Sequence, residues 1–303
     1  MLAAWLALFQ WHGNSTLGYV RTPSLFVYLY DSFSGTAGSN EHNLLDSEEG
    51  FGFLIPLVVL VILWLKRRQL LALESAPWWP GLLVVGSGAL VHIVGYRVQQ
   101  PRISVVGLFT GIYGLCGLTW GRAWLRASFF PFILFLFCIP LGSLAVPITF
   151  RLRVLVTQLV AFVSHYILAI DVIVEGTGIK DPTNRYHYEI AAACSGIRSL
   201  IATVALSVIF GFFSLQKSWK RLAMIASAFP LAVLGNLLRM LAIVIAAELG
   251  GQQWGNRVHD GGPGGIFSLL PYVPAFAGLL LLEHLLRERP VPVRSGPLLA
   301  AQT

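Results

Sequence analysis

Several times along this chain, hydrophobic residues run for about the 20 positions that a helix needs to cross a bilayer, and polar residues collect in the gaps. Phe51 to Leu65, Trp78 to Tyr96, Ile103 to Gly121, Ser128 to Phe150, Ile197 to Leu215, Leu222 to Leu249 and Ile266 to Leu286 each read as a spanning helix. Pro230 predicts a kink in the sixth of these. Leu2 to Trp11 is apolar but short, and reads as the end of a first membrane helix. Gly13 to Gly50 is mixed, with an acidic patch at Asp46, Glu48 and Glu49, and reads as an extramembrane loop with one interfacial turn near Ser24 to Tyr30. Leu152 to Val174 is apolar yet interrupted by Arg153, Gln158, His165 and Asp171. Glu175 to Ala193 is polar and partly alternating, which predicts short strands. Gly250 to Gly265 reads as a glycine-rich loop.

The pattern predicts an all-α polytopic membrane protein of about 7–8 transmembrane helices, with an extracytoplasmic interfacial segment and short extramembrane strands or loops. Residues 1–289 read as one transmembrane unit. Within it, 1–50 is an N-terminal helix remnant and outer loop, 51–150 the N-terminal spans, 151–193 the outer interfacial segment and 194–286 the catalytic spans. Residues 290–303 are Pro-rich and read as a disordered cytoplasmic tail.

Composition agrees with a lipid environment. The chain is 56% hydrophobic and only 12% charged, with a mean hydropathy of +0.72. Lys and Arg exceed Asp and Glu by seven. In a membrane protein this excess reports orientation rather than nucleic-acid binding. The clusters at Lys66–Arg68, Arg122–Arg126, Lys217–Arg221 and Arg287–Arg294 are expected on the cytoplasmic side, and with them the C-terminus. The spans between Arg126 and Lys217 must then be even in number, so Leu152 to Val174 is expected to lie along the outer face. The same parity puts Cys194 and the Gly250–Gly265 loop on the extracytoplasmic side.

That side collects the reactive residues. The three cysteines are Cys116, Cys138 and Cys194, with no metal-ligand spacing and no disulfide framework. Cys116 and Cys138 sit within apolar runs and read as packing residues. Cys194 sits between alanines and Ser195-Gly196, where a long apolar helix begins. Unpaired N–H groups and the helix dipole favour a thiolate there, and Ser195 is a good capping residue. Taken alone, Cys194 reads first as a buried small hydrophobe at a tightly packed helix start, and it is the residues downstream that reverse this.

Arg239 follows Asn236 inside an apolar helix, where a cation is expected to face a polar partner. His259 stands in the Gly-rich segment, within reach of a neighbouring helix end. Together they supply a nucleophile, a base and an oxyanion-stabilising cation for attack on a peptide carbonyl. Arg239 has two other readings, a lipid-phosphate contact or an ion pair with Glu248, and His259 reads alternatively as an ordinary loop histidine. Arg198, one turn from Cys194, competes for the oxyanion role. Asp260 is a candidate to orient His259, and His165, His187 and Glu189 are candidates for outer support.

The segments Ala193-Cys194-Ser195-Gly196-Ile197-Arg198-Ser199-Leu200 and Asn236-Leu237-Leu238-Arg239, then His259 with its Gly-rich run and Phe267, resemble the exosortase/archaeosortase family of polytopic membrane cysteine transpeptidases. Glu49-Gly50-Phe51-Gly52-Phe53-Leu54-Ile55-Pro56-Leu57 resembles that family's N-terminal stretch, although the Glu48–Glu49 pair departs from its more usual polar or aromatic residues. The resemblance implies a catalytic triad of Cys194, Arg239 and His259, without metal or cofactor. It also implies exported substrate proteins bearing a C-terminal motif, a membrane helix and a basic tail. These would be cut at the extracytoplasmic face of the cell membrane and passed to a surface acceptor. Two other function classes share the pattern: a transporter or polysaccharide-assembly component, for which Cys194 would be dispensable, and a lipid-handling enzyme indifferent to thiol reagents.

Overall fold

In lipid, a chain satisfies its backbone polar groups by helix formation, and the long apolar runs do so here. The structure is a computed structural model that describes residues 1–15, 22–34, 50–141, 146–189 and 197–287. The helices are α1 (Leu2–His12), α2 (Leu25–Ser34), α3 (Leu54–Leu65), α4 (Arg67–Leu71), α5 (Gly81–Arg97), α6 (Pro101–Trp120), α7 (Arg122–Ile133), α8 (Val146–Tyr166), α9 (Ile197–Ser214), α10 (Ser218–His259) and α11 (Tyr272–Leu286). Three short strands, β1 (Ile173–Glu175), β2 (Gly178–Lys180) and β3 (His187–Glu189), form an antiparallel sheet in sequence order. Strands β2 and β3 fall in the stretch expected to form them, whereas β1 begins at Ile173, inside the segment read as interfacial.

Among the described residues, three segments are long and apolar enough to cross a membrane: Pro101–Trp120, Ser218–His259 and Ile266–Leu286. Gly50–Leu65, Gly81–Arg97 and Ser199–Ser214 are shorter apolar helices. Leu57, Leu60 and Trp64 on α3, Leu82, Leu83 and Leu90 on α5, and Leu281 and Leu285 on α11 are all exposed. Apolar surface on this scale matches a hydrocarbon solvent, as expected of a membrane protein. Helices α5 and α6 approach closely through glycines, as packing in lipid favours. A Cβ on Gly88 would lie 2.8 Å from the Gly111 nitrogen.

Lys66, the start of α10 and the end of α11 gather at one end of the bundle. Lys66, just after α3, lies 4.7 Å from the Phe212 ring centroid, and Arg221 of α10 lies 5.0 Å from the same centroid. The Lys220 ammonium donates to the Leu286 carbonyl at 2.6 Å, joining the start of α10 to the end of α11.

Helix limits differ from the sequence reading in three places. Ser128 to Phe150 is not one helix. Helix α7 ends at Ile133, a 3-10 turn follows over Leu134–Cys138, and α8 starts at Val146 and continues to Tyr166. Prolines explain the division. Pro140 lies in the break, and Pro147 takes the second position of α8, where its missing N–H costs nothing. The division expected at 150/151 therefore falls inside α8. Second, α10 stays helical through Pro230; its non-helical residues are Gly250 (φ −134°, ψ 17°) and Gly251 (φ 68°, ψ −170°). Third, the expected Gly250–Gly265 loop is a break followed by helix over 252–259 and a 3-10 segment over Pro263–Leu269.

One apolar core joins α8, the sheet and both parts of α10: Val156, Val160, Ile179, Tyr186, Val244 and Val258 are buried together. The sheet is further pinned by ions. Asp181 is 3% exposed, and its carboxylate accepts from the Thr183 hydroxyl, from the Thr183 and Arg185 N–H groups at 3.0 and 3.1 Å, and from the Arg185 guanidinium at 3.2 Å. Arg185 also donates to Glu248 of α10 at 2.7 Å. The hydrogen bond from Thr183, then that from Arg185, hold the Asp181 carboxyl well below the usual carboxylate range.

A depressed carboxylate stabilises the fold above its unfolded pKa of about 3.9. That stability is lost as pH falls through the lower folded value. Hydrogen exchange across 173–189, corrected for intrinsic rates, is therefore expected to hold from pH 7 to pH 5. Asp181→Asn is expected to raise it at pH 7. Unchanged protection in that variant would show the carboxylate to be dispensable.

Candidate active site

Arg239 and His259 are 20 residues apart on what registers as one 42-residue helix, yet the Arg239 Nη2 donates to the His259 carbonyl at 3.1 Å. A straight helix would hold them about 30 Å apart. The chain therefore reverses at Gly250–Gly251, and a return arm, 252–259, runs back along the long arm, 218–249. The reversal needs glycine. Gly251 has φ 68°, and a Cβ on Gly250 would lie 2.0 Å from the Trp254 ring. Packing between the arms agrees, since a Cβ on Gly255 would lie 3.0 Å from the Ala247 Cβ.

His259 ends the return arm as a helical residue, not a loop one. Its Nδ1 lies 2.9 Å from Asp260 Oδ1, so these adjacent side chains do meet. A carboxylate accepting from Nδ1–H leaves the lone pair on Nε2, the arrangement of an oriented base. The Tyr188 ring stacks on the imidazole with centroids 6.4 Å apart and planes at 27°. Burial, and then the Asp260 charge, raise the Tyr188 phenol above its ordinary pKa, so it stays a neutral donor.

Arg239 is half-buried, and its Nε is a buried donor with no hydrogen-bond partner among the described residues. Leaving a buried donor unsatisfied costs about 1–3 kcal/mol, and more on a charged group. Such a donor is suited to an oxygen that arrives with substrate. The alternative pair with Glu248 does not form: Glu248 is taken by Arg185 at 2.7 Å and by the Tyr186 hydroxyl at 3.4 Å. Asn236, one turn below Arg239, is 2% exposed.

Cys194 and Ser195 lie outside the described residues. Helix α9 begins at Ile197, so the backbone of Arg198 lies in its first turn. Glu189 ends β3 opposite Gly178, five residues before Cys194. Of the weaker candidates, His165 pairs with Asp171 at 2.7 Å on an exposed surface, and His187 contributes its backbone to the site's frame, described below. Cys138 is buried and Cys116 half-buried within their helices, as packing residues.

Tyr188 and Gln252 were not singled out by the sequence. The signal available was slight: a tyrosine two residues from Tyr186 on the alternating strand, and a glutamine just past the glycine pair.

A family model described as transmembrane exosortase matches residues 42–280. No curated protein and no solved structure matches the chain.

Proposed function

The chain belongs to the transmembrane exosortase family, and from that premise we propose that it is a cysteine transpeptidase or protease that cuts C-terminal sorting signals. Membership supports a membrane transpeptidase or protease role in general. The observation that carries the finer reading is the Arg239–His259–Asp260 arrangement, with an unoccupied guanidinium N–H beside an oriented imidazole.

In this reading the Cys194 thiol gives its proton to His259 Nε2, and the sulfur attacks the scissile carbonyl carbon. A C–S bond forms, and the carbonyl electron pair moves onto an oxyanion held by Arg239. Collapse breaks the C–N bond, His259 returns the proton to the leaving amine, and a thioester remains. An acceptor nucleophile or water then displaces the thiolate.

The long arm suits a site at a membrane boundary. Arg239 stands about 32 Å along the axis from Ser218, close to the ~30 Å of hydrocarbon core. With the basic end of the bundle in the cytoplasm, Arg239 reaches the extracytoplasmic boundary without a charge at mid-membrane. A substrate helix of about 20 residues spans the same depth. Its basic tail would lie on the cytoplasmic side, and its motif would lie level with Arg239.

Thiol trapping tests this reading. Treated with a membrane-impermeant alkylating reagent over a pH series, Cys194 is expected to label faster than Cys116 or Cys138. Labelling is expected to persist below the ordinary thiol pKa of about 8.5. Labelling no faster than Cys116, with an ordinary thiol profile, would sink the reading.

A further inference from the structure

The strand leading to the nucleophile and the arm carrying the base are fastened to each other by one glutamine and one tyrosine. The Gln252 Oε1 accepts from the His187 N–H at 2.9 Å, and its Nε2 donates to the His187 carbonyl at 3.3 Å. A side-chain amide thus completes the edge of β3 as another strand would. The Gln252 Nε2 also donates to Asn256 Oδ1 at 3.0 Å, one turn further along the return arm. The next residue of β3, Tyr188, donates its hydroxyl to the Gln252 carbonyl at 2.9 Å and lays its ring along His259. Tyr188 is 5% exposed, and a Cβ on Gly255 would lie 2.0 Å from its hydroxyl, so the return arm is shaped around the ring.

We infer that Gln252 and Tyr188 are positioning residues that set the register between Cys194 and His259, by clamping β3 to the return arm. The inference rests on the proposed thiol–histidine chemistry. Only four residues separate Glu189 from Cys194, and the five steps between them span at most about 18 Å of extended chain. Where β3 sits therefore limits where the thiol can be. The return arm has only eight residues after Gly251, too few for a stable helix on its own. Without the clamp it is held by the Arg239 bond to the His259 carbonyl and by Val258 in the core. Among the described residues, ionisable groups that meet His259 include Asp260 beside it, Tyr188 from β3, and Arg239 from the long arm through the carbonyl. The clamp acts on the geometry among these groups and adds no charge of its own.

The test reads the alkylation rate of Cys194 against pH, with an impermeant alkylating reagent, in the full-length protein and four variants. His259→Ala defines the profile of a thiol with no partner. Gln252→Met, close in size and at a half-buried position, removes both bonds to His187. Tyr188→Ala removes the ring and hydroxyl, while Tyr188→Phe keeps the ring. Gln252→Met and Tyr188→Ala are expected to move the profile toward that of His259→Ala, with about a tenfold lower rate at pH 6. Tyr188→Phe, which keeps the ring but loses the hydroxyl bond to the Gln252 carbonyl, is expected to fall between the parent and Tyr188→Ala. Cys138, buried in the parent, reports packing, and Gln252→Met decides the matter if Tyr188→Ala exposes it. Parent-like profiles in both Gln252→Met and Tyr188→Ala overturn the clamp and leave the thiol–histidine reading standing. Identical profiles for the parent and His259→Ala overturn that reading and the clamp with it.

Discussion

Replacing Arg239 with alanine is expected to lower cleavage of a sorting-signal substrate by about 10³-fold while the protein still inserts. Two losses combine. The oxyanion loses its cation, and removal of a single oxyanion donor costs about 10²–10³ in rate. The return arm also loses the bond from Arg239 Nη2 to the His259 carbonyl, so the base is less well placed. Arg239→Lys separates these terms. An ammonium keeps the charge but cannot hold the carbonyl with one nitrogen while offering a second, fixed N–H to substrate, as the guanidinium fork can. The lysine variant is expected to fall about 10²-fold, closer to alanine than to the parent. Cleavage of a reporter with a C-terminal motif, a membrane helix and a basic tail measures both. Near-parent activity in the lysine variant would mean that charge alone matters. Near-parent activity in the alanine variant would remove Arg239 from the chemistry.

The residue types of this site were legible in the sequence, but its geometry was not. An arginine in an apolar helix declares itself because nothing else explains its cost there. A cysteine at a helix start and a histidine among glycines complete a recognisable chemical set. Strand β3 was legible because Tyr186 and Tyr188 alternate with polar residues, whereas β1, Ile173–Glu175, carries no such alternation. The reversal at Gly250–Gly251 was read as the start of a loop. The segment behind it, Gln-Gln-Trp-Gly-Asn-Arg-Val-His, has no apolar period, and it is helical because β3 and the long arm hold it. Those partners are distant in sequence, so no local pattern announces them. The division between α7 and α8 was hidden for the opposite reason. The apolar run from Ser128 to Phe150 continues through prolines that end one helix and start the next. Hydropathy measures solvent preference and is blind to a missing N–H.

The reversal makes Gly251 the second position with a large expected effect. Its backbone, φ 68° and ψ −170°, lies in a region open essentially to glycine alone. An alanine there costs about 1–3 kcal/mol, or about 5- to 150-fold in the population of the folded-back arm. A straight continuation relieves the strain and carries His259 about 30 Å from Arg239. The penalty therefore falls on activity more than on insertion. Gly251→Ala is expected to lower cleavage about 10- to 100-fold, and Gly251→Val further. Gly176 supplies the control. It also has a positive φ, 62°, but it stands in the β1–β2 turn, and a Cβ there would meet nothing within 4 Å. Gly176→Ala is expected to keep cleavage within about threefold. Equal effects from the two alanines would mean that a general loss of stability, and not the return of His259 to Arg239, sets the activity. A large effect confined to Gly251 would follow from a base whose position depends on that one turn.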